Sequence, residues 1–330
     1  MSEEQNSAKT ASTVWIGVDI GGTKTAVVLC SEPPAVLQRA AFPTLPERGP
    51  DYALTLIRQT IHQMIQTHEL RPGHIEAIGI SCGGPLDRKR GVIQSPPNLP
   101  TWNDVQIVDV LKDEFKVECR LENDANAGAI AEHRFGAGQG VQNMIFLTMG
   151  TGLGAGIILG GRLYHGSSDM AGEIGHVRLT ASGPTGYNKA GSVEGWASGA
   201  GMAQAASERV VAAMENGEVT SLVVQLATNR ILTAKDVADA ARQGDPLARQ
   251  IVCSTGSRLG EALAILVDLL NPELIVIGGI GMRMGESLLA PARAAMKKEA
   301  LPASAQACRV VPAALGERIG DIAAVCVAMG

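Results

Sequence analysis

Val14-Trp-Ile-Gly-Val-Asp-Ile-Gly-Gly-Thr-Lys-Thr-Ala-Val-Val-Leu29 consists of two apolar runs hinged on Gly21-Gly22-Thr23-Lys24. Both runs are rich in β-branched residues, and paired glycines tolerate the positive φ of a tight turn, so the stretch reads as a β-hairpin. Its tip is polar. Backbone N–H groups exposed by the glycines, with the Thr23 hydroxyl and Lys24, suit a phosphate, while Asp19 at the strand end suits the water shell of a metal ion. A P-loop is excluded, because Gly-x4-Gly-Lys-Ser/Thr opens a helix and here a β-branched strand follows. Taken alone, an ordinary Gly-Gly hairpin explains the stretch too. What separates the two readings lies downstream.

A chain of 330 residues, 45% of them hydrophobic, can bury a large core, and its length favours two domains. With aromatics at only 3%, that core must be built from Ala, Val, Ile and Leu, and 39 glycines suit strands and helices joined by tight turns. The expectation is α/β. A net charge of −5, with Arg88-Lys89-Arg90 as the only basic block, argues against a nucleic-acid surface. Cys30, Cys82, Cys119, Cys253, Cys308 and Cys326 form no Cys-x-x-Cys pair and read as buried, reduced thiols of a cytoplasmic protein. The polar start, residues 1–13 with Glu3 and Glu4, is unlike a signal peptide. The longest apolar run, residues 262–270, is interrupted by Asp268 and followed by Asn271-Pro272, so no membrane span is expected.

Along the chain, Leu54, Ile57, Ile61, Met64 and Ile65 fall at helical spacing, and His62 and His68 on that helix read as surface residues. Residues 75–81 read as a buried strand running into Cys82-Gly83-Gly84-Pro85, a strand end of the kind where α/β proteins bind ligands. The Pro-rich stretch 95–103 is either a connector to a helix capped near Asn103 or Asp104, or a binding loop offering Asn98. A short strand then meets Glu122-Asn-Asp-Ala-Asn126, which opens an Ala-rich helix. Capping explains one of Asn123 and Asp124 but does not require both, and a carboxylate at a strand-to-helix junction is well placed as a general base. Residues 143–149, Gly150-Thr-Gly-Leu-Gly154 and residues 157–159 repeat the strand, Gly/Thr turn, strand design, as an internal duplication would. Two such units, one in each half, are what a two-sided phosphate clamp needs. Thr233 and Asp236 fit a capping box, Asp245-Pro246 starts a long helix ending at Leu270, and residues 274–277 form a buried strand emptying into Gly278-Gly279. No linker separates the halves, and the boundary is expected in the turn near Asn123.

Together these pieces resemble the ROK sugar kinases of the actin-like, ribonuclease H-like ATPase superfamily, over nearly the whole chain. Asp19-Ile-Gly-Gly-Thr-Lys24 is similar to the first phosphate motif, Gly150-Thr-Gly-Leu-Gly154 to the second, and Val276-Ile-Gly-Gly279 to the adenosine motif. Asn123-Asp-Ala-Asn126, Gly172-Glu-Ile-Gly-His176 and Glu194 are similar to the sugar-site motifs. The resemblance implies a two-lobed α/β fold, each lobe a mixed sheet flanked by helices, with residues 1–122 plus 316–330 as the small domain and 123–315 as the large one. It implies Asp124 as general base, and Gly83, Gly84, Asn98, Asn123, Glu173, His176 and Glu194 around a hexose. ATP would lie against Asp19, Gly21, Gly22, Thr23, Lys24, Thr148, Gly150, Thr151, Gly152, Gly278 and Gly279, with Mg²⁺ held through water by Asp19. A homodimer that closes on its sugar is also implied.

One departure stands out. Most of the family holds zinc with the His of Gly-Glu-x-Gly-His and three cysteines of a Cys-x-Cys-Gly-x-x-Gly-Cys-x-Glu segment. Here the cysteine positions hold Thr185, Tyr187 and Ser192. Hydroxyls do not replace three thiolates at neutral pH, so no zinc is expected, and His176 would be placed by packing or through Tyr187. Glucose is the expected acceptor, from the resemblance of Gly-Gly-Pro-Leu-Asp87 and Pro-Asn-Leu-Pro-x-Trp102 to glucokinases. Fructose, N-acetylmannosamine and N-acetylglucosamine kinases share the frame. The family's repressors carry an N-terminal helix-turn-helix, for which the residues preceding the first strand are too few. A catalytically dead sugar-binding protein is the remaining alternative.

Overall fold

The structure, a computed structural model, describes residues 13–227 and 231–330. The polar start read from the sequence lies, but for Thr13, outside the described residues. The chain divides into two compact units, one ending at Ala127 and completed by Gly320–Gly330, the other Gly128–Ile319.

In the first unit the opening hairpin forms as β1 (Val14–Ile20) and β2 (Lys24–Glu32), with Asp19 opposite Ala26. A strand that the sequence reading passed over, β3 (Ala35–Pro43), pairs antiparallel with β2. Its alternation of exposed and half-buried residues marks a sheet edge, where no continuous apolar run is needed. β1 also runs parallel to β4 (Ile75–Cys82), and β4 parallel to β5 (Glu118–Asn123), giving the order β3-β2-β1-β4-β5. Ile20 pairs with Cys82 and Cys82 with Asn123, so three parallel strands end in register at one edge. One face of the sheet packs Ile16, Ile20, Ile78 and Ile80 against Ile57, Ile61 and Met64 of the helix Pro50–Thr67. The other face receives the helix Ile319–Met329 at very close range. A Cβ on Gly79 would stand 2.2 Å from the Ala324 carbonyl oxygen and the Ala328 nitrogen, so no side chain fits there.

The second unit repeats the plan. β6 (Met144–Met149), β7 (Leu153–Leu159) and β8 (Arg162–Leu163) are antiparallel, while β9 (Leu274–Ile277) and β10 (Arg309–Pro312) run parallel to β6, in the order β8-β7-β6-β9-β10. Strand directions match those of the first sheet position by position, as the duplicated sequence pattern predicts. The core packs these strands against the helix Pro246–Leu270, whose Asp245 cap accepts from Ala248 N at 2.9 Å, and Thr233 and Asp236 form the expected capping box.

Several expectations need correction. The unit division falls inside the helix Asp124–Phe135 rather than at the turn before it, so Asn123 and Asp124 group with the first unit. The helix has no break there, and its first turn is held by β5. Neither Asn103 nor Asp104 caps a helix. Ile93 and Val105 exchange two backbone hydrogen bonds of 3.0 Å, Asp104 takes the left-handed turn before them (φ 50°), and the helix Ile107–Phe115 starts only afterwards. Cys253 is exposed on the helix Pro246–Leu270, whereas the other five cysteines are buried. His62 pairs with Glu114 and His68 meets Gln38, both at the surface. Among the described residues no helix is long and apolar enough to cross a membrane.

Glu132 is fully buried and accepts from the backbone N–H groups of Ala137, Ala314 and Leu315. Glu132→Ala would leave those donors without their acceptor, at about 1–3 kcal/mol for the buried Leu315 N–H and less for the more accessible Ala137 and Ala314. Urea unfolding should show a loss of at least about 1 kcal/mol.

Candidate active site

In the first unit the three aligned strand ends build the site. β1 ends in the turn Gly21–Thr23, β4 in Gly83-Gly84, and β5 in Asn123 at the start of the helix Asp124–Phe135. The first turn is fixed by Gly21 N donating to Lys24 O (3.0 Å) and by Thr44, which the sequence reading missed. Its hydroxyl donates to Gly21 O (2.6 Å) and meets Thr25 Oγ1 (2.9 Å), and its N–H donates to Thr23 O (3.1 Å). Leu99 and Trp102, both fully buried, anchor the Pro-rich loop and bring exposed Asn98 over the same turn, where a Cβ on Gly22 would lie 2.8 Å from Asn98 Cβ. A Cβ on Gly83 would lie 3.7 Å from the Asn98 side-chain oxygen, and one on Gly84 would lie 3.5 Å from the Asn123 amide nitrogen. The loop therefore packs directly on the first turn.

At the helix start the two candidate caps separate. Asn123 Oδ1 accepts from Ala125 N (2.9 Å) and Asn126 N (3.4 Å), so Asn123 is the cap. Asp124 accepts from Ala125 N (2.9 Å) and from its own backbone N–H, and its carboxyl reaches solvent at the tip. Buried Asn126 donates to Glu122 Oε1 (3.0 Å), which also accepts from Asn123 N (2.9 Å), and so steadies the junction from behind. Surrounding protein thins the hydration of Asp124 and raises its pKa, which backbone hydrogen bonds only partly offset.

Among the described carboxyls of this unit, that of Asp19 is the most strongly shifted in pKa. Burial, reinforced by Asp124 and Asp321, pushes its pKa up to about 7 against the pull of Lys24 and Arg39. Arg39 Nε donates to Asp321 Oδ2 at 2.7 Å. A Cβ on Gly320 would sit 2.3 Å from Asp19 Oδ2, so the helix Ile319–Met329 begins against that carboxyl. A nearby cation would relieve the charge on Asp19, but among the described residues no three carboxylate, His or Cys groups gather closely enough to hold a metal ion by themselves. Arg39, Thr44, Gly320 and Asp321 carry no local motif, and only their strand and helix neighbours could have pointed to them. Lys24 is exposed beside the turn.

In the second unit, β6 carries Thr148 and ends in the turn Gly150-Thr151-Gly152, closed by Gly150 N donating to Gly152 O (3.0 Å). β9 ends in Gly278-Gly279. Gly279 has φ 60° and a Cβ there would lie 2.2 Å from the Met149 carbonyl oxygen, so both conformation and space require glycine. Glu173 begins the short helical turn Ile174–His176, and Gly175 in that turn presses on Leu153 and Glu194. Glu194 lies on the helix Val193–Ala197 and accepts from Leu153 N at 3.0 Å. The expected residues of this unit thus gather around the β6 and β9 ends and the start of β7.

The donor set where the family would bind zinc does not fit that metal. Ser192 Oγ accepts from Gly195 N (3.1 Å) as a helix cap, and Tyr187 is exposed with its ring edge-on to His176, 6.1 Å between centroids. Lys189 Nζ donates to the His176 carbonyl oxygen at 2.8 Å. Tyr187 and Asn188, both at positive φ, turn the hairpin Thr185–Gly186 with Lys189–Ala190. A hydroxyl cap, an aromatic edge and an ammonium occupy the segment in place of thiolates.

Residues 15–329 match the profile of the ROK family. The chain belongs to the ROK family. It is 34% identical to a glucokinase of Halalkalibacterium halodurans over 310 residues, 93% of this chain and 92% of the relative. It is 31% identical to the DNA-binding transcriptional dual regulator NagC of Escherichia coli, over 87% of this chain and 68% of that protein. Among solved structures it resembles a ROK family glucokinase from Streptomyces griseus in complex with glucose and AMPPNP, with a TM-score of 0.77, 33% identity, and coverage of 96% of this chain and 99% of that one. The two-sheet architecture of this ROK chain is the actin-like ATPase fold.

Proposed function

We propose that this ROK protein is an ATP-dependent hexose kinase whose preferred reaction converts glucose to glucose 6-phosphate. The observation that carries the reading is the separation of roles at the helix start. Asn123 does the capping, which leaves Asp124 with a solvent-reaching carboxyl and a pKa raised toward that of an effective base. In the transfer, Asp124 accepts the proton of the sugar 6-hydroxyl as that oxygen bonds to the γ-phosphorus, and the bond to the ADP oxygen breaks. Gly83, Gly84, Asn98, Asn123, Glu173, His176 and Glu194 are the residues we assign to the hexose. The turns at residues 21–24 and 150–152, Thr148 and the Gly278-Gly279 pair serve the nucleotide. Asp19 would hold Mg²⁺ through water, where the ion supplies charge neutralisation to the polyphosphate. Similarity to two named glucokinases supports the acceptor. Free thiols and ATP use fit the cytoplasm as the site of reaction.

A coupled ADP-release assay with glucose, fructose, N-acetylmannosamine and N-acetylglucosamine tests the proposal. Glucose should give the highest kcat/KM. Another hexose leading would move the specificity, and no release above background with any sugar would favour a hexose-responsive regulator, the reading to which the NagC similarity points.

Zinc has no part in this proposal. Elemental analysis of purified protein should find it well below one equivalent, and EDTA should leave the thermal midpoint unchanged. Stoichiometric zinc, or a midpoint that falls on chelation, would overturn this.

A further inference from the structure

We propose that Glu194 is a positioning residue that couples hexose binding to nucleotide binding, one carboxylate oxygen holding the turn at residues 150–152 and the other facing the hexose. The inference rests on the kinase reading above and adds to it a second job for a residue expected only to touch sugar.

Glu194 Oε2 accepts from Leu153 N at 3.0 Å, one residue beyond the turn. A Cβ on Gly152 would come within 2.6 Å of the same oxygen, so the turn is shaped to admit this carboxylate. The helix Val193–Ala197 that carries Glu194 is fixed at both ends, by Ser192 Oγ accepting from Gly195 N and by Ser198 N donating to Glu194 O (3.0 Å). The next helix, Gly199–Glu215, grips the turn itself. Gly199 N donates to Gly150 O (2.8 Å) and Ala200 N to Thr151 O (3.2 Å). On its other side Glu194 Cβ stands 3.4 Å from the Cβ position of Gly175, within the turn bearing His176. One side chain therefore bonds to a segment assigned to nucleotide and lies beside a segment assigned to hexose, inside a single compact unit.

A carboxylate accepts several hydrogen bonds in its own plane, so a hexose hydroxyl on Oε1 fixes the plane in which Oε2 meets Leu153 N. Order gained at the turn by hexose then favours nucleotide, and thermodynamic reciprocity requires nucleotide to favour hexose by the same factor. Glu194→Gln keeps the shape but removes the charge that strengthens the bond from Leu153 N.

Calorimetric titration with ADP and Mg²⁺, without and with a saturating hexose chosen as the best substrate of the panel, reads the coupling. In Glu194→Gln, ADP affinity without hexose should fall about 3–10-fold, the size of one charge-assisted hydrogen bond weakened to a neutral one. The factor by which hexose tightens ADP should shrink toward one, and KM for ATP should rise together with KM for hexose. Gly152→Ala is the reciprocal test. It adds a methyl against Glu194 and should weaken hexose binding in the absence of nucleotide. ADP affinity within twofold of wild type and an unchanged coupling factor in Glu194→Gln would make Glu194 a sugar contact only. Should that variant be misfolded by its thermal melt, unaltered hexose affinity in Gly152→Ala would overturn the inference by itself. Wild-type protein that binds no ADP and phosphorylates no hexose would overturn the kinase reading, and this inference with it.

Discussion

Replacing Asp124 with asparagine is expected to leave hexose affinity nearly unchanged while lowering kcat by about 10²–10⁴-fold, the usual worth of general-base catalysis. Asparagine is almost isosteric and can still accept from Ala125 N, as Asp124 does in the structure. Helix capping should survive as well, because it belongs to Asn123. What the variant cannot do is take up a proton. Binding should be read by fluorescence or calorimetry and turnover by ADP release. Equal losses in affinity and turnover would make Asp124 a sugar ligand, with the base elsewhere. Because partial desolvation by the surrounding protein raises the Asp124 pKa above that of a free aspartate, the acid limb of kcat against pH should lie above that value too. An acid limb at the value of a free aspartate would contradict this.

Asp19→Asn should stabilise the unliganded protein at pH 8. The folded-state pKa of Asp19 is about 7, against 3.8 for the free side chain, so the folded state holds this proton more tightly than the unfolded state. Stability contributed by the protonated form is complete below about pH 4 and is lost as pH rises toward and through 7. At about 1.4 kcal/mol for each unit of pKa, the loss at pH 8 is on the order of 4 kcal/mol. Asparagine removes the buried charge, so the variant should melt higher than wild type at pH 8 and similarly at or below about pH 4. On the proposed role of Asp19 it should also bind Mg²⁺-nucleotide poorly, because the carboxylate that would hold the ion through water is gone. A variant that melts lower at pH 8, or wild-type stability that is flat between pH 5 and 8, would overturn this account.

These two residues also show how far the sequence reaches. Asp19 and Asp124 were both recognisable by position, one at the end of a strand before a glycine turn and one at a strand-to-helix junction. The direction in which burial and neighbouring charge move their pKa values was not. The largest neighbouring contributions to Asp19 come from Asp124 and Asp321, and Arg39 answers Asp321 across 282 residues of chain. Helix caps divide in the same way. Thr233, Asp236 and Asp245 cap as read, because each acts on a backbone N–H within its own turn. Asn103 and Asp104 fail because the pairing of Val105 with Ile93 pins the chain first.

The sequence by itself determined the two strand–turn–strand units, the long capped helices and the candidate residues at each strand end, since period, glycine turns and caps act over a few neighbouring residues. Tertiary structure alone decided that β1, β4 and β5 end in register, that Thr44 braces the first turn, and that Gly320, Asp321 and Arg39 gather at Asp19. It also decided that Glu194 holds the second. Hydrogen bonds and charge interactions depend on distance through space, and for residues far apart in the chain that distance is set only when the sheets and helices have packed.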